Sequence, residues 1–150
     1  RAEAWDSSYT LIGGSDAGAH LDRMCGAPYT TDFIGDCIRG RQLIPMERAI
    51  RHLTDAPARL FGLKGRGRLA EGWAADVVLF DPETIGSEDI HFQLDLPGGA
   101  GRLYAGAIGV EKVFVNGRLT VDGGKPTGDL PGVLLRSGSE TETVLIPAAG

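Results

Sequence analysis

The stretch Tyr9-Thr10-Leu11-Ile12-Gly13-Gly14-Ser15-Asp16 decides how the opening part of this 150-residue chain is read. A short β-prone run stops at a Gly pair, which predicts a buried strand over 9–12 that delivers Asp16 at its C-terminal end. A loop follows through Pro28. Thr30 or Thr31 can then N-cap a helix with Phe33, Ile34, Cys37 and Ile38 on one face, and Gly40 is its natural stop. Pro45 suits the opening of a second helix, where its missing N–H costs little, with Met46, Ala49, Ile50 and Leu53 as the buried stripe. Thr54 or Asp55 caps a third, which contains Pro57, Ala58, Leu60 and Phe61 and ends at Gly62.

After Leu63 the period changes. Residues 74–81, Ala-Ala-Asp-Val-Val-Leu-Phe-Asp, predict a strong strand ended by Pro82. Residues 83–108 read as loop, loosest at Pro97-Gly98-Gly99-Ala100-Gly101. Val113 and Val115, then Leu119 and Val121, alternate around Asn116-Gly117, a dipeptide that accepts positive φ at both turn positions and so predicts a two-residue hairpin. Asp122-Gly123-Gly124 predicts another turn. The reading is an α/β piece over residues 1–63, a β piece over 64–136 and a weakly ordered tail over 137–150. One parallel-type strand makes no sheet, and two or three make a marginal one, so both pieces call for partners N-terminal to them. The chain begins at Arg1 rather than Met, in keeping with a fragment.

Composition excludes several classes. Glycine fills 23 of 150 positions, about twice the ~7% share common in proteins, so turns and close backbone approaches should abound. The hydrophobic share of 42% and charged share of 23% describe a soluble globular chain. A net charge of −5 argues against a nucleic-acid binder. Between Arg39 and Arg68 eight basic side chains face two acidic ones, but no aromatics are interleaved to stack bases, so this reads as a solvated basic helix face. No apolar run approaches the ~20 residues of a membrane span. Cys25 and Cys37 form no CxxC pair and demand no oxidising compartment, which leaves the cytoplasm as the expected location.

Asp16 is the leading candidate for chemistry, because a strand's C-terminal end is where barrel enzymes place reactive groups. The plainer reading is an Asp capping the next turn. His20 can share a site with Asp16, although a single D-x-x-x-H is a weak metal pattern and Gly18 opposes a helix between the two. Arg23 can clamp a substrate carboxylate through paired N–H donors, or simply be solvated. Cys25 has no identifiable base to activate it, and His52 and His91 read as structural. Gly65-Arg66-Gly67-Arg68-Leu69-Ala70 matches a relaxed dinucleotide fingerprint, yet it follows a helix and enters a strand, so no helix N-terminus receives a pyrophosphate. Gly123-Gly124-Lys125 lacks the spacing of a phosphate loop.

Three stretches together resemble the C-terminal part of metal-dependent amidohydrolases, in particular the N-acyl-D-amino-acid deacylase (D-aminoacylase) group. They are Gly14-Ser15-Asp16-Ala17-Gly18-Ala19-His20; residues 53–63 with 65–72 and 75–81; and Val113-Phe114-Val115-Asn116-Gly117 with the Gly123-Gly124 turn and Thr127-Gly128. The resemblance spans about residues 10–136. It implies the last strand and helices of a (β/α)8 TIM-like barrel, followed by the C-terminal part of a small β-sandwich domain. It also implies a Zn2+ cofactor, with Asp16 at the metal or its water and acting as general acid/base, Arg23 and His20 as substrate-binding residues, and a small N-acyl amino acid or related amide as substrate. The family's His-x-His and other metal ligands have no counterpart here, so the remaining barrel and β domain are the expected partners and this segment alone is expected to be inactive. A cyclic-amide, dihydropyrimidinase-like hydrolase shares much of the pattern. A non-catalytic β-rich interaction module is the reading if the chain is natively this short.

Overall fold

A computed structural model describes residues 1–7 and 9–144 of the chain. The helical part contains α1 (Ala2–Asp6), α2 (Tyr29–Asp32), a wider π-helical continuation (Phe33–Gly40), α3 (Met46–Leu53) and α4 (Asp55–Leu60). The predicted stripe is the core: Phe33, Ile34, Cys37 and Ile38 are buried with Ile44, Ala49 and Ile85, and Trp5 packs edge-on to Phe33 at 5.1 Å. Helix starts differ in detail. Neither Thr30 nor Thr31 caps α2, which follows Pro28, and the Thr31 hydroxyl instead donates to the Pro28 carbonyl at 2.9 Å. Pro45, with ψ 149°, precedes α3 rather than opening it.

The strand predicted over 9–12 is not formed. Ile12 packs against the core, but Tyr9 is 92% exposed and residues 10–16 pair with no strand among the described residues. An apolar run becomes a strand only where a neighbour takes its N–H and C=O groups, and none does so here.

The β part is built on a four-stranded antiparallel sheet whose strands, in spatial order, are β1 (Val77–Phe80), β6 (Val110–Val115), β7 (Arg118–Asp122) and β8 (Lys125–Pro126). Val77 faces Phe114 and Val113 faces Val121. The predicted hairpin joins β6 to β7, with φ 49° at Asn116 and 78° at Gly117.

Residues 83–108, read as loop from the sequence, form paired strands instead. β2 (Gly86–Ser87) pairs with β5 (Ala107–Ile108), and beyond them β3 (His91–Gln93) pairs with β4 (Arg102–Tyr104). The root of this excursion is fixed to the helices. Ile85 is 2% exposed, Arg39 donates to its carbonyl at 2.6 Å, and the Thr31 and Ser87 hydroxyls lie 2.6 Å apart. The helical and β parts meet at Asp55, whose carboxylate receives Arg59 at 2.9 Å, Arg68 at 3.2 Å and Arg51 at 3.4 Å. Past residue 136 the chain returns to this junction: the N–H of Lys64 donates to Glu140 and that of Glu142 to Gly62. The last part of the expected tail, 145–150, lies outside the described residues. No described helix is long and apolar enough to cross a membrane.

Candidate active site

Asp16, His20 and Arg23 all lie on one closed loop. Gly13 and Gly14 lead into Ser15, whose hydroxyl oxygen accepts the N–H of Ala17 at 3.1 Å. Asp16 follows in the left-handed region at φ 52°, and its carbonyl accepts the N–H of Ala19 at 2.9 Å. A second turn begins at His20, φ 46°, whose carbonyl receives the N–H groups of Arg23 and Met24 at 2.8 and 2.9 Å. Asp tolerates the left-handed region better than most residues because its short polar side chain bonds locally. The loop closes where Gly26 lies against the Ser15 carbonyl, with ends close together as in an Ω-loop.

This geometry presents the three predicted residues without joining them. Asp16 and His20 are exposed. Arg23 reaches its neighbour Asp22 at 3.3 Å, a surface pair with the arginine side chain 79% exposed. Cys25 is a free, partly buried thiol on the same loop. His52 is buried in α3, its Nδ1 without a hydrogen-bond partner among the described residues, and His91 stands edge-on to Tyr104 at 5.7 Å.

Two features of the site escape the sequence reading. The N–H of Leu103 in β4 donates to the carbonyl of Leu21 at 2.7 Å, tying the far side of the loop to the β3–β4 hairpin. The hairpin itself is held by Arg102, which grips Asp95 in bidentate fashion at 2.8 and 2.7 Å and lies over Tyr104 at 4.9 Å. A signal was available in the alternation His91-x-Gln93 and Arg102-x-Tyr104 about a Pro-Gly-Gly turn.

Residues 1–121 match the Amidohydrolase family. The chain belongs to the amidohydrolase family. An N-acyl-D-glutamate deacylase of Alcaligenes xylosoxydans xylosoxydans is 39% identical over 106 residues, covering 71% of this chain and 20% of that protein. An allantoinase of Rubrobacter xylanophilus is 31% identical over 96 residues, 62% of this chain and 21% of that one. A D-aminoacylase structure, solved in a study of its binuclear metal centre, superposes with a TM-score of 0.51 at 29% identity over 67% of this chain and 19% of its own. This amidohydrolase chain thus spans about a fifth of the length of the curated relatives it matches.

A metal is implied by that kinship, and the donors present do not enclose one. No group of three or more His, Cys, Asp or Glu among the described residues is arranged to hold an ion. Zinc takes four ligands, or three and a water. Asp16 can contribute one carboxylate, and His20, on the second turn of the loop, makes no hydrogen bond to it.

Proposed function

We propose that this chain is the C-terminal part of a zinc-dependent amidohydrolase that cleaves the linear amide of an N-acyl-D-amino acid. The observation that carries the reading is the presentation of Asp16, exposed at φ 52° on a closed loop after Gly13-Gly14, in a chain 39% identical to an N-acyl-D-glutamate deacylase. Residues 1–63 are then the last strand and helices of a (β/α)8 barrel, and residues 64–136 the C-terminal part of its β domain. The segment 9–12 becomes a strand when a neighbouring barrel strand supplies its ladder partner.

Asp16 is the group on this chain that can carry a proton. Its Oδ atoms take a proton from the attacking water and return it to the departing nitrogen, a role that fits an exposed carboxylate with no salt bridge among the described residues. The Zn2+ of the complete enzyme is held chiefly by side chains other than those of this chain, and the segment alone is inactive. Arg23 and His20, on the same loop, are the substrate-binding residues, Arg23 exchanging Asp22 for a substrate carboxylate. The two thiols, both free, suit a cytoplasmic enzyme.

The test is Asp16→Asn in the complete enzyme, with release of free amino acid from N-acetyl-D-glutamate as the assay. Turnover is expected to fall by about 10²-fold or more with zinc content near normal. Retained turnover removes Asp16 from the mechanism. The allantoinase match favours a second reading, a cyclic amide as substrate; hydrolysis of allantoin, with N-acyl-D-amino acids untouched, would establish it instead.

A further inference from the structure

We propose that the β3–β4 hairpin is a positioning element for the Asp16 loop, acting through the backbone N–H of Leu103. This rests on the reading of Asp16 as the proton carrier. Within residues 15–26 the loop's own bonds are short-range: the turns at Asp16 and His20, the neck where Gly26 meets Ser15, and the exit where the N–H of Tyr29 donates to the Gly26 carbonyl at 3.2 Å. These shape the loop without fixing its distance from the rest of the protein. The support from outside the loop is at its far turn, where the N–H of Leu103 donates to the Leu21 carbonyl at 2.7 Å.

The register explains why Leu103 is available. It stands opposite Phe92, between the pairs Gln93–Arg102 and His91–Tyr104. Alternate residues of an antiparallel pair turn their N–H groups away from the partner strand, and that of Leu103 points to the loop. Leu21 therefore adds to the free edge of the hairpin.

The hairpin is stiffened far from the core, where burial does not account for its order. Most of residues 88–100 are exposed. Yet Arg102 is fastened to Asp95, its guanidinium covers Tyr104, and the Phe92 ring lies against Gly101. Its root is fixed in the helical core through Ile85, Arg39 and the Thr31–Ser87 pair. A continuous path of pairing thus runs from the core to the loop. A displacement of about 1 Å at a reacting group costs up to about 10²-fold in rate, which is the size of effect such a brace prevents.

The test uses the complete enzyme. Leu103→Pro deletes the N–H at an outward-facing edge position that tolerates proline, while Leu103→Val keeps it. For the proline variant kcat is expected to fall about 10- to 100-fold, with KM within about 3-fold and zinc content unchanged; the valine variant should match the parent. A folded proline variant with parental kcat, or a valine variant that loses as much, overturns the proposal. Amide hydrogen exchange on the unmutated enzyme decides the matter if the proline variant does not fold. The Leu103 amide should exchange at least about 100-fold more slowly than a free peptide, and exchange at the free rate overturns the brace. That measurement needs no turnover, so absence of deacylase activity overturns the proposed function while the exchange result still judges the brace.

Discussion

Gly26 lies so close to the carbonyl oxygen of Ser15 that no side chain fits between them. The contact is backbone on backbone, so no rotamer change can relieve an added methyl group. It sets the neck of the loop on which Asp16, His20, Arg23 and Cys25 sit.

Gly26→Ala should therefore part the neck and displace Asp16. Activity of the complete enzyme is expected to fall about tenfold or more, while the melting temperature changes little because the loop itself is exposed. Parallel kcat and thermal-melt measurements check this. A large loss of Tm with kcat intact among folded molecules would assign Gly26 to stability instead.

Asn116 binds the two ends of the β part together. It occupies the left-handed turn position, its Oδ1 accepts Arg66 at 2.7 Å, its Nδ2 donates to the Pro131 carbonyl at 2.7 Å, and its N–H donates to Asp76 at 2.9 Å. Asn116→Ala removes both side-chain bonds and strains the turn. Denaturant unfolding should show a loss of about 2–3 kcal/mol, mostly from the bond to the charged Arg66 and the turn itself.

Asp55 predicts acid sensitivity at the junction. Burial opposes its charge, but the hydrogen bond and charge of Arg59, then Arg68 and Arg51, prevail and hold its carboxyl below the ordinary carboxylate range. A depressed folded value means its contribution to stability is complete above the unfolded value of about 4 and is lost as pH falls through the lower folded value. Stability measured from pH 6 to pH 2 should decline more steeply in the parent than in Asp55→Asn, which has no proton to take up at that site.

Gly67 marks the crossing from helices to sheet. At φ +86° it passes α4 so closely that a Cβ would lie 2.6 Å from the Ala58 Cβ and 3.0 Å from the Thr54 carbonyl. Gly67→Ala should cost about 1–3 kcal/mol through strain and overpacking, read as a lowered unfolding midpoint. An alanine variant as stable as the parent would show that the two parts shift freely.

Features that depend on neighbouring residues along the chain are legible in the sequence. The Asn116-Gly117 hairpin is, because few other dipeptides accept positive φ twice. So is the stripe Phe33, Ile34, Cys37 and Ile38, because its spacing presents one face. The loop candidates Asp16, His20 and Arg23 were found by residue type and position, and the structure places them on one loop without contacts among them. Residues 83–108 are not legible: strands of two or three residues among Gly, Pro and polar side chains carry little period, and their pairing comes from the partner opposite. The segment 9–12 failed the other way, with a strand's pattern but no ladder partner.

The order of helical and β parts, the turns, the core stripe and the amidohydrolase kinship are each encoded in runs of adjacent residues, and the amino-acid sequence is enough to read them. The meeting of Leu103 with Leu21, the closure of Gly26 on Ser15 and the gathering of Arg51, Arg59 and Arg68 around Asp55 exist only in the folded chain. Contacts of the Leu103–Leu21 kind depend on backbone groups that every residue but proline carries, so side-chain identity cannot announce them. They form when packing brings distant segments within about 3 Å, and that distance is set by the whole fold.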